Sequence, residues 1–278
     1  MPSWTTRALN VRQVGGGPKA VVLAHGFGAN QGVWFPYLEP LSRGYRVITY
    51  DLPCAATADR EFFDMTRHRK IDGYIDDLMA ILDDLEIANC AFVGHSVSGM
   101  VGLLASLRRR DRFSKIVAIG ASACYLNRDA YQGGFSQEDL KQVFLAIGSN
   151  YRNWAQAYAP YVVDRPIHDS ATTRFLDGLL AMRGDVALAT AQMILLADYR
   201  ALMNQVETPS AILQTRSDPA VPMAAATFLH DHIRGSTLEM IDASGHMPHM
   251  TSVDLVLPAL QRHLDLDSSG GMPAATVG

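Results

Sequence analysis

Six short apolar runs rich in β-branched residues recur along this sequence, and the helical patterns between them constrain the fold more than any other feature. "AVVLAH" (20–25), "YRVITYD" (45–51), "CAFVGH" (90–95), "KIVAIGAS" (115–122), "SAILQT" (210–215) and "TLEMID" (237–242) have strand length, and each could be covered on both faces. The last five close on turns rich in Gly, Asp, Ser or Thr. Among the helical patterns, "IDGYIDDLMAILDDLEI" (71–87) sets Ile71, Tyr74, Leu78, Ile81, Leu82 and Leu85 on one stripe. "SGMVGLLASLRR" (98–109) is apolar nearly all round and calls for deep burial. Strand, helix and strand in repetition predict an α/β fold: a mostly parallel, doubly wound sheet with helices on both faces.

One region interrupts the alternation. From Ser136 to Arg200 the patterns are helical throughout: "SQEDLKQVFLAIG", "NYRNWAQAYAPYVV", "SATTRFLDGLLAMR" and "DVALATAQMILLA". Ser136, with Glu138 and Asp139 in the first turn, is a helix start signal. Four helices inserted into an α/β frame, several carrying aromatics, predict a lid over a pocket, although most of those aromatics must pack the helices together. The expected organisation is a core domain from 1–135 and 201–264, a lid from 136–200, and a mobile Gly/Ser/Ala-rich tail from 265–278. The lid is expected to join the core only at its two ends, with Gly133 and Gly134 as a permissive hinge.

Composition narrows the function. A chain of 278 residues with net charge −4 has no long basic run, and Arg108-Arg109-Arg110 suits a helix C-terminus, so no nucleic-acid partner is expected. Three cysteines without ligand spacing fit a reducing compartment and no metal site. The first residues lack the apolar core of a signal peptide, and no apolar run approaches a membrane span. The expectation is a soluble, intracellular monomer with no cofactor.

Gly94-His95-Ser96-Val97-Ser98 lies between a strand-like and a helix-like run, close to the Gly-x-Ser-x-Gly nucleophile elbow with Ser98 in the last glycine's place. Serine also caps helices, so the motif alone does not decide. A serine nucleophile needs a base, and the base needs a carboxylate to fix its tautomer. His246 in "DASGHMPHM" follows the last strand-like run directly after Gly245 and is preferred to His249 three residues on. Asp218 in "RSDPAVP" follows another strand-like run, although a turn aspartate before proline is common. The order Ser96, Asp218, His246, each just past a strand end, is that of an α/β-hydrolase. "HGFG" (25–28) supplies a glycine-rich turn, so the oxyanion donors are predicted to be the N–H groups of Phe27 and Val97. One such donor is worth roughly 3–4 kcal/mol in the transition state. The ligand pocket is predicted to be apolar and roofed by the lid, lined by His25, Phe27, Phe135, Trp154, Phe175 and Leu180, with Val97 and Met247 near its base.

"LAHGFGANQGVW" (23–34), "FVGHSVSGM" (92–100), "YLNRDAYQGGFSQEDL" (125–140), "NYRNWAQAYAP" (150–160) and "GHMPHM" (245–250) resemble the plant strigolactone and karrikin receptor family. They also resemble its bacterial relative, a hydrolase-fold activator of a stress-response phosphatase. The likeness spans residues 8–264. It implies that Ser96, Asp218 and His246 form the triad, that residues 136–200 form a V-shaped lid, and that a butenolide ligand is slowly hydrolysed. For a plant protein it implies an F-box protein of a ubiquitin ligase and a repressor as partners, in cytoplasm and nucleus. For a bacterial protein it implies a phosphatase partner in the cytoplasm. Ser122-Ala123-Cys124 departs from the plant Ser-Pro-Arg, and Gly99 stands where alanine is usual. Leu180 and Ala181 stand where plant receptors carry Phe and Asn, which predicts a wider pocket.

Overall fold

The structure, a computed structural model, describes residues 3–265. Beyond Asp265, the segment expected to be a tail lies outside the described residues. Seven strands form one sheet in the order β1-β3-β2-β4-β5-β6-β7: β1 (Arg12–Val14), β2 (Lys19–Ala24), β3 (Tyr45–Tyr50), β4 (Cys90–His95), β5 (Phe113–Ile119), β6 (Ser210–Ser217) and β7 (Thr237–Ser244). All neighbours are parallel except β1, which runs antiparallel to β3. The six apolar runs become β2 to β7. The edge strand β1 has no apolar alternation to announce it, because all three of its residues are exposed. Central strand β4 is buried at every position, as a strand covered on both faces must be.

The helices before the lid are α1 (Trp4–Ala8), α2 (Phe35–Ser42), α3 (Ile71–Asp84) and α4 (Val97–Arg108). Four more follow β5: α5 (Gln137–Ser149), α6 (Tyr151–Val163), α7 (Ser170–Ala181) and α8 (Gly184–Leu195). The last are α9 (Met223–His232), α10 (Pro248–Thr251) and α11 (Val253–Asp265). Helix α3 buries Ile71, Tyr74, Leu78, Ile81 and Leu82, then stops before Glu86, which turns left-handed at φ 54°. Helix α4 buries ten consecutive residues from Val97 to Ser106 against the sheet. Among the described residues, no single helix is long and apolar enough to cross a membrane.

The insert is tied down along its length, not only at its ends. Tyr161 OH donates to the Pro219 carbonyl (3.2 Å), Arg165 Nη1 to Ser244 Oγ (3.1 Å), and Arg174 Nη2 to the Gly32 carbonyl (3.3 Å). Gly133 is no open hinge either. A Cβ there would lie 2.5 Å from the Leu126 carbonyl, so glycine is needed for the loop to pack. Phe135 N–H donates to the Tyr125 carbonyl and Asn127 N–H to the Phe135 carbonyl, which clamps the lid entry shut.

Helix α5 starts with a reciprocal cap: Asp139 N–H donates to Ser136 Oγ (3.1 Å), and Ser136 N–H donates to Asp139 Oδ2 (2.8 Å). Ser136→Ala should cost about 1 kcal/mol of stability. The double variant with Asp139→Ala should cost little more, because the two caps act together. Urea unfolding of both variants checks this.

Candidate active site

Strand β4 delivers its chain to Ser96, which adopts φ 54° and ψ −121° before α4 begins at Val97. A non-glycine residue in that region is strained and persists only where its surroundings fix it. Here they do. Ser96 N–H donates to the Ile119 carbonyl at the end of β5 (2.8 Å). Gly94 faces α4 so closely that a Cβ would lie 2.4 Å from the Ser98 backbone, and a Cβ on Gly99 would lie 2.7 Å from that of Ala121. Ser98, in the place of the motif's last glycine, donates from Oγ to the His25 carbonyl (2.5 Å). That bond ties the elbow to the glycine-rich turn after β2, a role that size alone did not suggest.

Asp218 follows β6 with its side chain buried. Its Oδ1 accepts from the N–H groups of Ala220 (2.8 Å) and Val221 (3.0 Å). Its Oδ2 accepts from His246 Nδ1 (2.8 Å) and Gln214 Nε2 (3.3 Å). The carboxylate thereby fixes the imidazole with Nδ1 protonated and leaves Nε2 as the acceptor. Gly120, at φ 56°, makes room for this pair: a Cβ there would lie 3.2 Å from the His246 ring. The lid holds the histidine's backbone. His246 N–H donates to the Val162 carbonyl of α6 (2.8 Å), and Gly245, at φ 87°, packs under the Val163 carbonyl. Ser96 Oγ is 3.4 Å from Tyr125 OH and makes no hydrogen bond to His246. Catalytic hydrogen bonds often tighten only when substrate is bound.

Phe27 and Val97 flank Ser96 on separate elements, and neither N–H donates to a backbone carbonyl among the described residues. His25 supports this turn from behind. Its Nδ1 donates to the Gly26 carbonyl (2.8 Å), and its Nε2 accepts from Leu52 N–H (2.9 Å). It is fully buried and does not line the pocket, because both ring nitrogens are spent on backbone.

Ser96 and His246 open on one cavity of about 60 Å³ beneath the lid. Phe27, Phe135 and Trp154 line it as predicted, joined by Tyr125, Tyr158 and Leu195. Val143, Ala191, Ile194 and Ala220 complete the wall. Phe175, Leu180 and Met247 do not reach it. Phe175 lies behind Tyr158, with ring centroids 6.2 Å apart, and packs with Leu179 on Gly28. Leu180 is one residue further round α7 than Leu179, on a different face. Met247 is buried in the core beside the histidine. The cavity is narrow. Leu180 and Ala181 do not shape it, and the phenol rings of Tyr125 and Tyr158 take up space. Burial pushes both phenols well above their ordinary pKa, so they remain donors. Tyr158 was legible from Trp154, four residues earlier on the same helix face, and Ala191, Ile194 and Leu195 share the corresponding spacing on α8. Tyr125 carries no such signal, since only the pairing of its loop with Phe135 brings it to Ser96.

Beneath the cavity lies a stack of buried histidines. His95 Nε2–H donates to the His246 carbonyl (2.8 Å), and its ring centroid is 4.2 Å from that of His249. His249 stacks on Trp34 (4.9 Å), and neither of its nitrogens has a hydrogen-bond partner among the described residues. Burial lowers His95 well below the usual imidazole value, and burial brings His249 down to about 3. His249 therefore sits in the floor, outside the cavity.

Comparison with known proteins agrees with this geometry. The profile of the alpha/beta hydrolase family matches residues 21–259. A probable esterase of Oryza sativa subsp. japonica is 43% identical over 262 residues, 94% of this chain and 97% of that protein. A karrikin insensitive 2 receptor of Petunia hybrida is 41% identical, with 94% and 97% covered. A strigolactone esterase of Arabidopsis thaliana is 39% identical, with 92% and 96% covered. The solved structure of a hydrolase from Oleispira antarctica superposes with a TM-score of 0.89 at 32% identity, covering 94% of this chain and 96% of that one. The fold and the turn at Ser96 thus define an α/β-hydrolase. Within that class, the chain belongs to the strigolactone and karrikin receptor family.

The histidine stack sets an acid limit on stability. An unfolded chain protonates these imidazoles near pH 6.5, whereas the folded chain keeps them neutral, His249 down to about pH 3. The unfolded state then binds more protons, so stability falls as pH drops below about 6.5, by about 1.4 kcal/mol per pH unit for each histidine. His249→Leu should flatten the acid limb by that amount. Denaturant midpoints measured from pH 7 to pH 4 check it.

Proposed function

We propose that this chain is a hydrolase-type receptor that binds a small butenolide, cleaves it slowly with Ser96, His246 and Asp218, and reports the event through its lid. The observation that supports this most is one cavity shared by Ser96 and His246, with His246 fixed on Asp218 at 2.8 Å. In this reading Ser96 Oγ attacks the ligand's ester carbonyl and passes its proton to His246 Nε2. Phe27 and Val97 N–H groups stabilise the oxyanion. The carbonyl–oxygen bond then breaks, and His246 returns the proton to the leaving oxygen. Water, deprotonated by His246, releases the acyl group and regenerates the serine. Tyr125 holds the serine hydroxyl until the ligand displaces it. The names of the relatives, receptors and esterases both, favour a ligand of the strigolactone or karrikin class. A protein partner that reads the lid belongs to the same proposal: an F-box protein and a repressor in a plant cytoplasm or nucleus, a phosphatase in a bacterium.

Ser96→Ala and His246→Ala should each lower hydrolysis of a generic aryl ester by ~10³-fold or more, and the double variant should be little worse, because members of such a unit are not additive. His249→Ala should retain hydrolysis. Loss in His249→Ala with full activity in His246→Ala would move the base. Turnover of a butenolide near the ordinary ~10 per second would favour a plain esterase over a receptor. The signalling half is read by hydrogen exchange across residues 136–200 with a reactive butenolide. Faster exchange in the native protein but not in Ser96→Ala supports it, and protection in both contradicts it.

The cavity's size yields a further expectation. At about 60 Å³ it is well below the ~300–1,000 Å³ of sites for drug-sized ligands, so the ligand must be small or the lid must give. Leu195→Ala should raise kcat/KM for a bulky aryl ester by about 10-fold while changing a single-ring lactone far less. Steady-state kinetics with the two substrates check this.

A further inference from the structure

The residue before Ser96 is a fully buried histidine for which the proposed chemistry has no use. His95 closes β4 and pairs with Ile119 of β5, so the sheet fixes its backbone. Burial keeps its ring neutral. A neutral imidazole carries one N–H, and the bond from Nε2 to the His246 carbonyl (2.8 Å) places the proton there. Nδ1 is then a bare acceptor, and it has no hydrogen-bond partner among the described residues. The glycine-rich turn packs against that edge so closely that a Cβ on Gly26 would lie 2.5 Å from Nδ1.

Packing alone does not call for an imidazole at this place. An apolar side chain would fill the volume without burying an unpaired acceptor, which is costly. What an apolar side chain would lack is the donor at Nε2, and the carbonyl that receives it belongs to the proposed base. His246 is otherwise held by Asp218 at Nδ1 and by the Val162 carbonyl at its N–H. Both of those contacts come from outside the elbow. Among the described residues, the His95 bond is the one hydrogen bond that joins residues 94–98 to residues 245–247. The ring also lies against the ring of the base, with centroids 4.8 Å apart. One side chain thus meets the base loop on one edge and the turn that carries Phe27 on the other.

We infer that His95 is a positioning residue, a strut between β4 and the base loop that sets the distance from the His246 ring to Ser96. Ser96 Oγ makes no hydrogen bond to His246 in this structure, so proton transfer depends on how closely the two residues are brought together. His95 is not part of the cavity wall, so it acts on the chemical step and not on ligand binding. The inference rests on the reading of Ser96 and His246 as nucleophile and base.

The test pairs two substitutions of equal length. His95→Gln keeps an N–H donor close to where Nε2 stands, and His95→Met does not. Steady-state hydrolysis of a small aryl ester is measured on both, with melting temperature as the control for folding. His95→Met should lower kcat by about 10-fold or more while KM changes by less than about two-fold. His95→Gln should regain most of that loss. Ser96→Ala is the reference, and undiminished hydrolysis there overturns the triad reading and this inference with it. Hydrolysis lost in Ser96→Ala but kept in His95→Met overturns this inference alone. So does a rise in KM that matches the fall in kcat, or an equal loss in the Gln and Met variants. A second measurement uses the native chain, whatever the variants do. Nitrogen NMR of histidine-labelled protein near neutral pH should show His95, assigned by its absence from His95→Gln, as the neutral tautomer with the proton on Nε2. A proton on Nδ1, or a charged ring, would overturn the inference.

Discussion

Ser96 is held at φ 54° and ψ −121°, and much of the surrounding structure exists to keep it there. An L-residue adopts such a conformation at a cost of about 1–3 kcal/mol, which neighbouring contacts must offset. They do so from three directions. The sheet supplies the Ile119 carbonyl, α4 presses its first turn against Gly94, and Ser98 reaches across to the His25 carbonyl. The last contact matters most for chemistry. It ties the glycine-rich turn that carries Phe27 to the helix that carries Val97, the two residues whose N–H groups are proposed as oxyanion donors. A 1 Å error between donor and oxyanion is costly in any site of this kind.

The same economy of parts links the cavity to the lid. The backbone of His246 is bonded from above by the Val162 carbonyl and from below by the His95 ring. Helix α6, which supplies Val162, also supplies Trp154 and Tyr158 to the cavity wall. A ligand that pushes those rings aside must therefore load the helix that holds the His246 backbone. The bonds from Tyr161, Arg165 and Arg174 to the core resist that movement, so the lid is fastened and not free to swing. Any signal carried by the lid has to break such contacts, which suits a slow event coupled to chemistry better than casual breathing.

Much of this was legible in the sequence. Strands buried on both faces have nowhere to hide their apolar runs, so β2 to β7 and the helices between them announce themselves. The sharp turn at Ser96 and the pairing of Asp218 with His246 were legible because the turn chemistry around them is specific and their order follows the sheet. The pocket wall is less legible. Phe175 and Leu180 belong to an apolar helix whose pattern shows that it packs, but not against what. Tyr125 reaches Ser96 only through the pairing of its loop with Phe135, which no local pattern encodes. The edge strand β1 is silent in the sequence because, exposed throughout, it has no buried face to create an alternation. Glycines mislead in the opposite sense. Gly133 reads as freedom in the sequence, yet the structure uses it for a close approach that freezes the loop.

Attack of Ser96 on the ligand is the step on which the proposed function turns. Its most direct test is intact-protein mass spectrometry seconds after mixing with a butenolide ester, followed by peptide mapping of the adduct. The expected result is a transient mass increase equal to the acyl fragment, mapped to Ser96 or passed on to His246, and absent from Ser96→Ala. An adduct that forms equally on Ser96→Ala, or cleavage of the ligand at an undiminished rate by that variant, would contradict it.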